Sequence, residues 1–150
     1  LSYKDPLGLS IVGTYNRSTG ELILYDMEKG TMISGQFFSG GRPFGDPIPR
    51  GRYDILERAG RDGFFRLEPG DSHYGNDRED DHSGRSHFRL HHPGRSIGCV
   101  TAMDQHNWDA IERFILSTAT DTVTVESMTR LPWRPRTEPL TRYGWILVIN

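Results

Sequence analysis

The chain of 150 residues holds one cysteine, so no disulfide can form within it and the fold must rest on packing. At this length a single domain buries about 70% of its unfolded surface and needs no covalent staple. No apolar run approaches the ~18 residues of a membrane span, and nothing has the pattern of a signal peptide. Positive charge is not in excess. With 18 Lys and Arg against 20 Asp and Glu, the net charge of −2 lacks the cationic surplus that nucleic-acid binding usually needs. Internal repeats and a second domain are also lacking. The remaining composition is that of one polar, soluble, globular domain.

Short alternating segments dominate. Residues 11–15, 21–25 and 31–38 read as β-strands joined by the turns Arg17-Ser18-Thr19-Gly20 and Glu28-Lys29-Gly30. Residues 51–57 and 64–67 read as a further strand pair, 121–126 as a strand, and 143–149 as a closing strand. Residues 39–47 form a glycine-containing connector, and 131–136 an extended connection. Residues 103–117 are the clearest helix: Asp104 suits the N-cap, and Trp108, Ile111 and Ile115 with Phe114 form its apolar stripe. The fold class is therefore mostly β with one main helix. Residues 68–86 are almost wholly polar and carry the longest irregular segment, read either as a rim or lid near a site or as a loose surface loop. His73 and Tyr74 within it are candidates to meet a ligand.

The lone thiol sits in Ser96-Ile97-Gly98-Cys99-Val100, shortly after Phe88-Arg89-Leu90-His91-His92. A nucleophilic thiol needs a base within hydrogen-bond reach and backbone N–H groups aimed at the developing oxyanion. Glycine allows a tight bend, so the amides of Gly98 and Cys99 can point into the sulfur's cavity, and Ser96 can orient the histidine or the turn. If residues 87–92 form a strand, alternation puts Phe88 and Leu90 on one face and His87, Arg89 and His91 on the other, with His92 on the apolar side. His91 is then the favoured base, and His92 the alternative. A buried structural cysteine is the competing reading. A metal reading also arises, because His82, His87, His91 and His92 lie close in sequence to Asp80 and Asp81. Without a second cysteine or a His-Glu-x-x-His pattern it is disfavoured, and neither metal nor organic cofactor is expected.

Leu90-His91 followed by Ser96-x-Gly98-Cys99-Val100 resembles the signature of L,D-transpeptidase (YkuD-type) catalytic domains. The short His-to-Cys gap is most similar to the compact branch that includes type VI secretion effectors. Gly84-Arg85 resembles the Gly-Arg ahead of that branch's histidine strand, Pro47-Ile48-Pro49-Arg50-Gly51-Arg52-Tyr53 its Thr-Pro-x-Gly-x-Phe/Tyr element, and Leu22-Ile23-Leu24-Tyr25-Asp26 its first hairpin. The resemblance covers roughly residues 10–130. It implies a β-sandwich-like fold and acyl transfer on peptidoglycan tetrapeptide stems, with Cys99 as nucleophile and His91 as base. Arg85 is a candidate for binding a substrate carboxylate, a structural ion pair being the alternative. His92 is a further candidate substrate contact. The chain departs from the family's pattern in having His92 where glycine is usual, Thr101-Ala102 where Arg or Asn is common, and a very short His-to-Cys loop.

At the other end, Asp5-Pro6-Leu7-Gly8-Leu9 resembles the Asp-Pro-x-Gly-Leu motif that closes the core of Rhs-repeat proteins before their variable toxin domains. Asp5, Pro6, Gly8 and Leu9 are the residues that carry it. The chain begins at Leu1 without methionine, as a fragment of a longer polypeptide would. The two resemblances together imply residues 1–9 as the end of an Rhs core and 10–150 as a toxin domain. They further imply delivery to the periplasm of a target bacterium, self-cleavage after Leu9, and a cognate immunity protein. The alternatives in other classes are a wall- or partner-binding module without strong catalysis, and a different cysteine amidase or protease.

Overall fold

The structure is a computed structural model describing residues 11–40, 45–58, 62–95, 98–127, 132–133 and 136–150. The Rhs-like motif, Ser96 and parts of the two predicted connectors lie outside the described residues. Nine strands and one helix follow one another as β1 (Ile11–Asn16), β2 (Glu21–Asp26), β3 (Thr31–Ser39), β4 (Gly51–Glu57), β5 (Phe64–Pro69), β6 (Arg89–His91), β7 (Val100–Ala102), α1 (Gln105–Leu116), β8 (Asp121–Glu126) and β9 (Thr137–Ile149). This is the expected mostly-β chain with one helix.

The first three strands form a meander whose turns follow from their side chains. Asn16 Oδ1 accepts from the Ser18 and Thr19 amides at 2.9 and 3.3 Å, and Asp26 Oδ1 accepts from Glu28 and Lys29 at 3.1 and 3.0 Å. Such Asx contacts substitute for a backbone turn. β9 then closes the sheet. One of its edges pairs antiparallel with β4, while the other is shared between β8, along residues 137–142, and β1, along residues 144–149. The order β1-β2-β3-β7-β6-β5-β4-β9 thus returns to β1, so the strands form a single closed sheet rather than two separate ones. The parallel β1–β9 pairing brings two backbones close at Gly144, where a Cβ would lie 2.2 Å from the Ile11 carbonyl oxygen. β9 begins earlier than the predicted 143 because Pro139 falls where only β8 is paired, and an edge tolerates the missing N–H.

Alternation sends Phe65, Leu67, Leu90 and Val100 inward, into one large apolar core. The helix covers this core from the side of β3 and β7. Asp104 caps it, accepting from the Asn107 amide at 2.7 Å, and Trp108, Ile111 and Ile115 are buried. The Trp108 ring meets Phe37 and Phe65 at centroid distances of 6.2 and 5.9 Å.

The outer face of β5 and β6 carries charge instead. Arg66 stands opposite Arg89 across the two strands, and both are buried. Like charges so placed repel, yet the loop after β5 folds back and inserts Asp77 between them. Asp77 takes a two-pronged bond from Arg89 at 2.8 and 2.7 Å and lies 3.6 Å from Arg66. Glu68 pairs with Arg66 from the other side and accepts from the Gly75 amide at 3.2 Å, while Arg66 donates to the Gly75 carbonyl at 3.0 Å. Burial pushes the Glu68 carboxyl above its ordinary range, with Arg66 pulling it back. Farther along, Asp71 accepts from the His73 and Asp80 amides, and Glu79 from those of His82 and Ser83. The polar segment of residues 68–86 is therefore neither loose nor a simple rim. It is a lid over buried charge, and this lid fixes the strand that carries His91.

Asp77 has φ of +60°, a conformation that asparagine also tolerates, so Asp77→Asn removes charge without adding backbone strain. Left with uncompensated buried guanidinium, the variant should lose about 3–5 kcal/mol of unfolding free energy in urea titration. A loss below about 1 kcal/mol, the scale of an exposed ion pair, would show that the carboxylate does not hold the two arginines.

Candidate active site

β6 and β7 pair in parallel, with Leu90 opposite Val100 and His91 opposite Thr101. The connection between them, residues 92–99, is too short for a helical crossover. Period-two alternation fixes what faces outward. Val100 points into the core, so Thr101 and, just before the strand, Cys99 fall on the side that carries His91. Register extends this row across four strands: Phe38 opposite Thr101, Thr101 opposite His91, His91 opposite Phe64. β7 has no counterpart among the predicted strands, because three residues between a turn and a helix leave little periodicity to read.

His91 is buried, with 3% of its surface exposed, and its ring stacks on Phe64 at 4.7 Å with 20° between planes. Its Nδ1 lies 2.7 Å from the His92 carbonyl oxygen. A carbonyl only accepts, so Nδ1 carries the proton and Nε2 is the basic nitrogen. The Thr101 hydroxyl, itself fully buried, donates to that Nε2 at 3.1 Å. His92 has the same tautomer, since its Nδ1 donates to the Pro93 carbonyl at 2.8 Å. The chain leaves the strand at His91, so His92 does not enter the apolar core as alternation predicted. Its ring lies edge-on to His91, with centroids 5.8 Å apart, and lines the same cavity.

That cavity, about 520 Å³, is lined by Cys99 together with His91, His92, His87, Ser86, Phe64, Gly94 and Arg95. The sulfur is partly exposed and lies 3.8 Å from the His87 carbonyl oxygen. A carbonyl oxygen there can accept from the thiol S–H. His87 holds φ of +64°, rare for a residue with a side chain, and its amide donates to the Asp77 carbonyl at 3.0 Å. The charge-covering lid thus ends at the edge of the cavity.

Gly98 precedes the cysteine with φ of +96°, and a Cβ there would lie 2.1 Å from Arg85 Nη2. Its carbonyl accepts from Ser39 Oγ at 3.3 Å, and Ser39 Oγ accepts from the Ile48 amide at 2.8 Å. Arg85 donates to the carbonyls of Asp46 and Pro47 at 2.8 and 2.7 Å and sits over the Phe88 ring. It supports the turn and is not among the residues lining the cavity. These bonds run to backbone carbonyls, not to the carboxylate of an ion pair.

The structure does not bring His73 or Tyr74 to the thiol. His73 is exposed, with Nδ1 3.6 Å from Asp80. Tyr74 donates to Asp54 Oδ2 at 2.7 Å, where Asp54 also meets Arg142 at 3.1 Å. Burial first, and then the Asp54 carboxylate, push the Tyr74 phenol far above its usual range. Of the histidines grouped in sequence, His82 stands apart, facing Glu79 at 3.4 Å, while His87, His91 and His92 line the one cavity. Among the described residues no group of three or more His, Cys, Asp or Glu side chains is arranged to hold a metal ion. Sequence reading missed Thr101, Phe64, Arg95 and the involvement of His87. Two of these had a usable signal: Thr101 is two residues beyond Cys99 and so on the same side of any strand there, and alternation had set His87 on the face of His91.

No protein-family model, no curated protein and no solved structure matches this chain.

Gly98→Ala should lower stability by about 1–3 kcal/mol through its left-handed backbone, with further loss from the collision with Arg85. Arg85→Ala relieves the collision, so the double variant should lose less than the sum of the two single losses. Additive losses in denaturant titration would show that arginine and turn are independent.

Proposed function

We propose that this domain is an antibacterial toxin that attacks peptidoglycan stem peptides through a Cys99–His91 acyl-transfer site of the L,D-transpeptidase type. The observation that carries the reading is that a partly exposed thiol, just before β7, and a histidine at the end of β6 with its Nδ1 bonded to a carbonyl line one cavity where these two strands pair in parallel. A base oriented by a third group is the general requirement for activating a nucleophile. Here the His92 carbonyl provides that orientation.

In the proposed reaction His91 Nε2 takes the thiol proton once the Thr101 hydroxyl rotates its own hydrogen away from that nitrogen. A free thiol ionises near ~8.5, so such help matters at neutral pH. The sulfur then attacks the carbonyl carbon of the third stem residue, forming an S–C bond, with the Gly98 and Cys99 amides facing the oxyanion. Collapse breaks the C–N bond to the terminal D-alanine, and the imidazolium returns its proton to the leaving amine. Water, a D-amino acid or a second stem's amine next attacks the thioester, breaks the S–C bond and restores the thiol. These acceptors give hydrolysis, exchange or crosslinking, and each consumes donor stems. An Rhs core in cis would carry the domain to the target periplasm, and an immunity protein would cover the Cys99 cavity. The Asp5 to Leu9 motif and the ordering of these short sequence elements support that delivery route.

Incubation with purified tetrapeptide muropeptides should release D-alanine, read by mass. Cys99→Ala should remain folded and abolish the release. His91→Ala should reduce turnover by at least ~10²–10⁴, the usual contribution of general acid–base help, with His92→Ala milder. Cleavage at another bond would point to a general cysteine amidase, and no mass change to a binding module. A folded, inactive His92 variant beside an active His91 variant would transfer the base role to His92.

Export should decide where the domain acts. Expression without a leader should be tolerated, while fusion to an export signal should stop growth in a manner that depends on Cys99. Equal toxicity in both compartments would exclude the cell wall as sole target.

A further inference from the structure

The wall around Cys99 is lopsided in charge. Among the described residues that line the cavity are three imidazoles, His87, His91 and His92, and one guanidinium, Arg95, with no carboxylate. Composition does not produce this, because acids outnumber Lys and Arg by 20 to 18 over the chain. The other arginines near the site already have partners: Arg89 has Asp77, and Arg85 has two backbone carbonyls. Arg95 is exposed at the cavity and makes no hydrogen bond or ion pair among the described residues. His87 stands at the same cavity with its side chain 65% exposed. The carboxylate that faces it, Asp77, lies 3.9 Å from Nε2 and is engaged by Arg89 at 2.7 Å, while Ser86 Oγ meets Nδ1 at 2.8 Å. Its left-handed backbone, rare for a residue with a side chain, is held by the bond from its amide to the Asp77 carbonyl. That conformation also turns the His87 carbonyl to the sulfur.

We infer that Arg95 and His87 form a carboxylate-binding rim beside Cys99, so that the site favours acyl donors carrying a free carboxylate close to the bond attacked. A guanidinium whose fork meets no acceptor among the described residues is suited to bidentate pairing with a carboxylate. The neutral imidazole adds one donor, and the imidazolium adds charge. This inference rests on the proposed reactivity of Cys99, but it extends to any acid-bearing ligand of that sulfur and assigns the recognition to residues other than Arg85.

A single cysteine makes the test direct. Iodoacetate and iodoacetamide alkylate the same sulfur, each forming an S–C bond and releasing iodide, and differ only in carboxylate against amide. The rate ratio of the two reagents on the intact chain is compared with the same ratio for glutathione. Cys99 should favour iodoacetate by ~10-fold or more over glutathione, the scale of one charge-assisted hydrogen bond. The preference should shrink in Arg95→Gln and His87→Gln, and also in high salt. A ratio equal to that of glutathione overturns the inference. So does a preference that survives both substitutions, or a sulfur that resists both reagents and is closed to ligands. The alkylation ratio and D-alanine release fail separately. A carboxylate preference without D-alanine release leaves the rim and removes the proposed substrate; release with a free-thiol ratio does the reverse.

Discussion

The insertion of Asp77 between Arg66 and Arg89 is the interaction on which the rest of this molecule depends. Two guanidinium groups face each other on neighbouring strands, away from the core, and cannot stay there uncompensated. The carboxylate that relieves them comes from a long polar segment, which is thereby drawn down onto the sheet. Glu68 and Gly75 complete the arrangement, leaving each buried charge with bonds to satisfy it. Such an arrangement adds less net stability than apolar packing would, but it is geometrically demanding. It fixes Arg89, and therefore the short strand that presents His91 two residues later. It also anchors the backbone of His87 at the cavity edge.

Closure of the sheet supplies the second constraint. β9 pairs with three strands, and its parallel contact with β1 requires glycine at position 144. Strands as short as β6 and β7, three residues each, have little stability of their own. They persist because β3 and β5 hold them at both sides and because Leu90 and Val100 enter the core. The candidate site is therefore built on the least independent part of the sheet, clamped by its neighbours. Ser39 and Arg85 extend the clamp to the turn at Gly98.

His91 and His92 illustrate how adjacent identical side chains acquire different environments. Each has its Nδ1 proton directed to a following carbonyl, which leaves Nε2 as the basic nitrogen in both. His91 is sealed between Phe64 and Thr101, whereas His92 is only partly buried beyond the strand end. The first environment holds an imidazole in one orientation. The second suits a side chain that adjusts to a ligand.

Local rules made much of this legible in the sequence. Alternation identified the meander and the faces of Phe88, Leu90, Arg89 and His91, because a strand's period of two is independent of what it packs against. The Asp104 cap and the Trp108 stripe defined the helix for the same reason: both are properties of a few neighbouring residues. The lone cysteine and its glycine turn marked the candidate site. Tertiary structure alone decided the rest. Pairing of Arg66 with Arg89, closure of β9 on β1 and the engagement of Arg85 by Asp46 and Pro47 all join residues distant along the chain, which no local pattern encodes. The role of residues 68–86 was hidden for the same reason. A polar segment looks unstructured until the buried charges it must neutralise are brought beneath it by the fold.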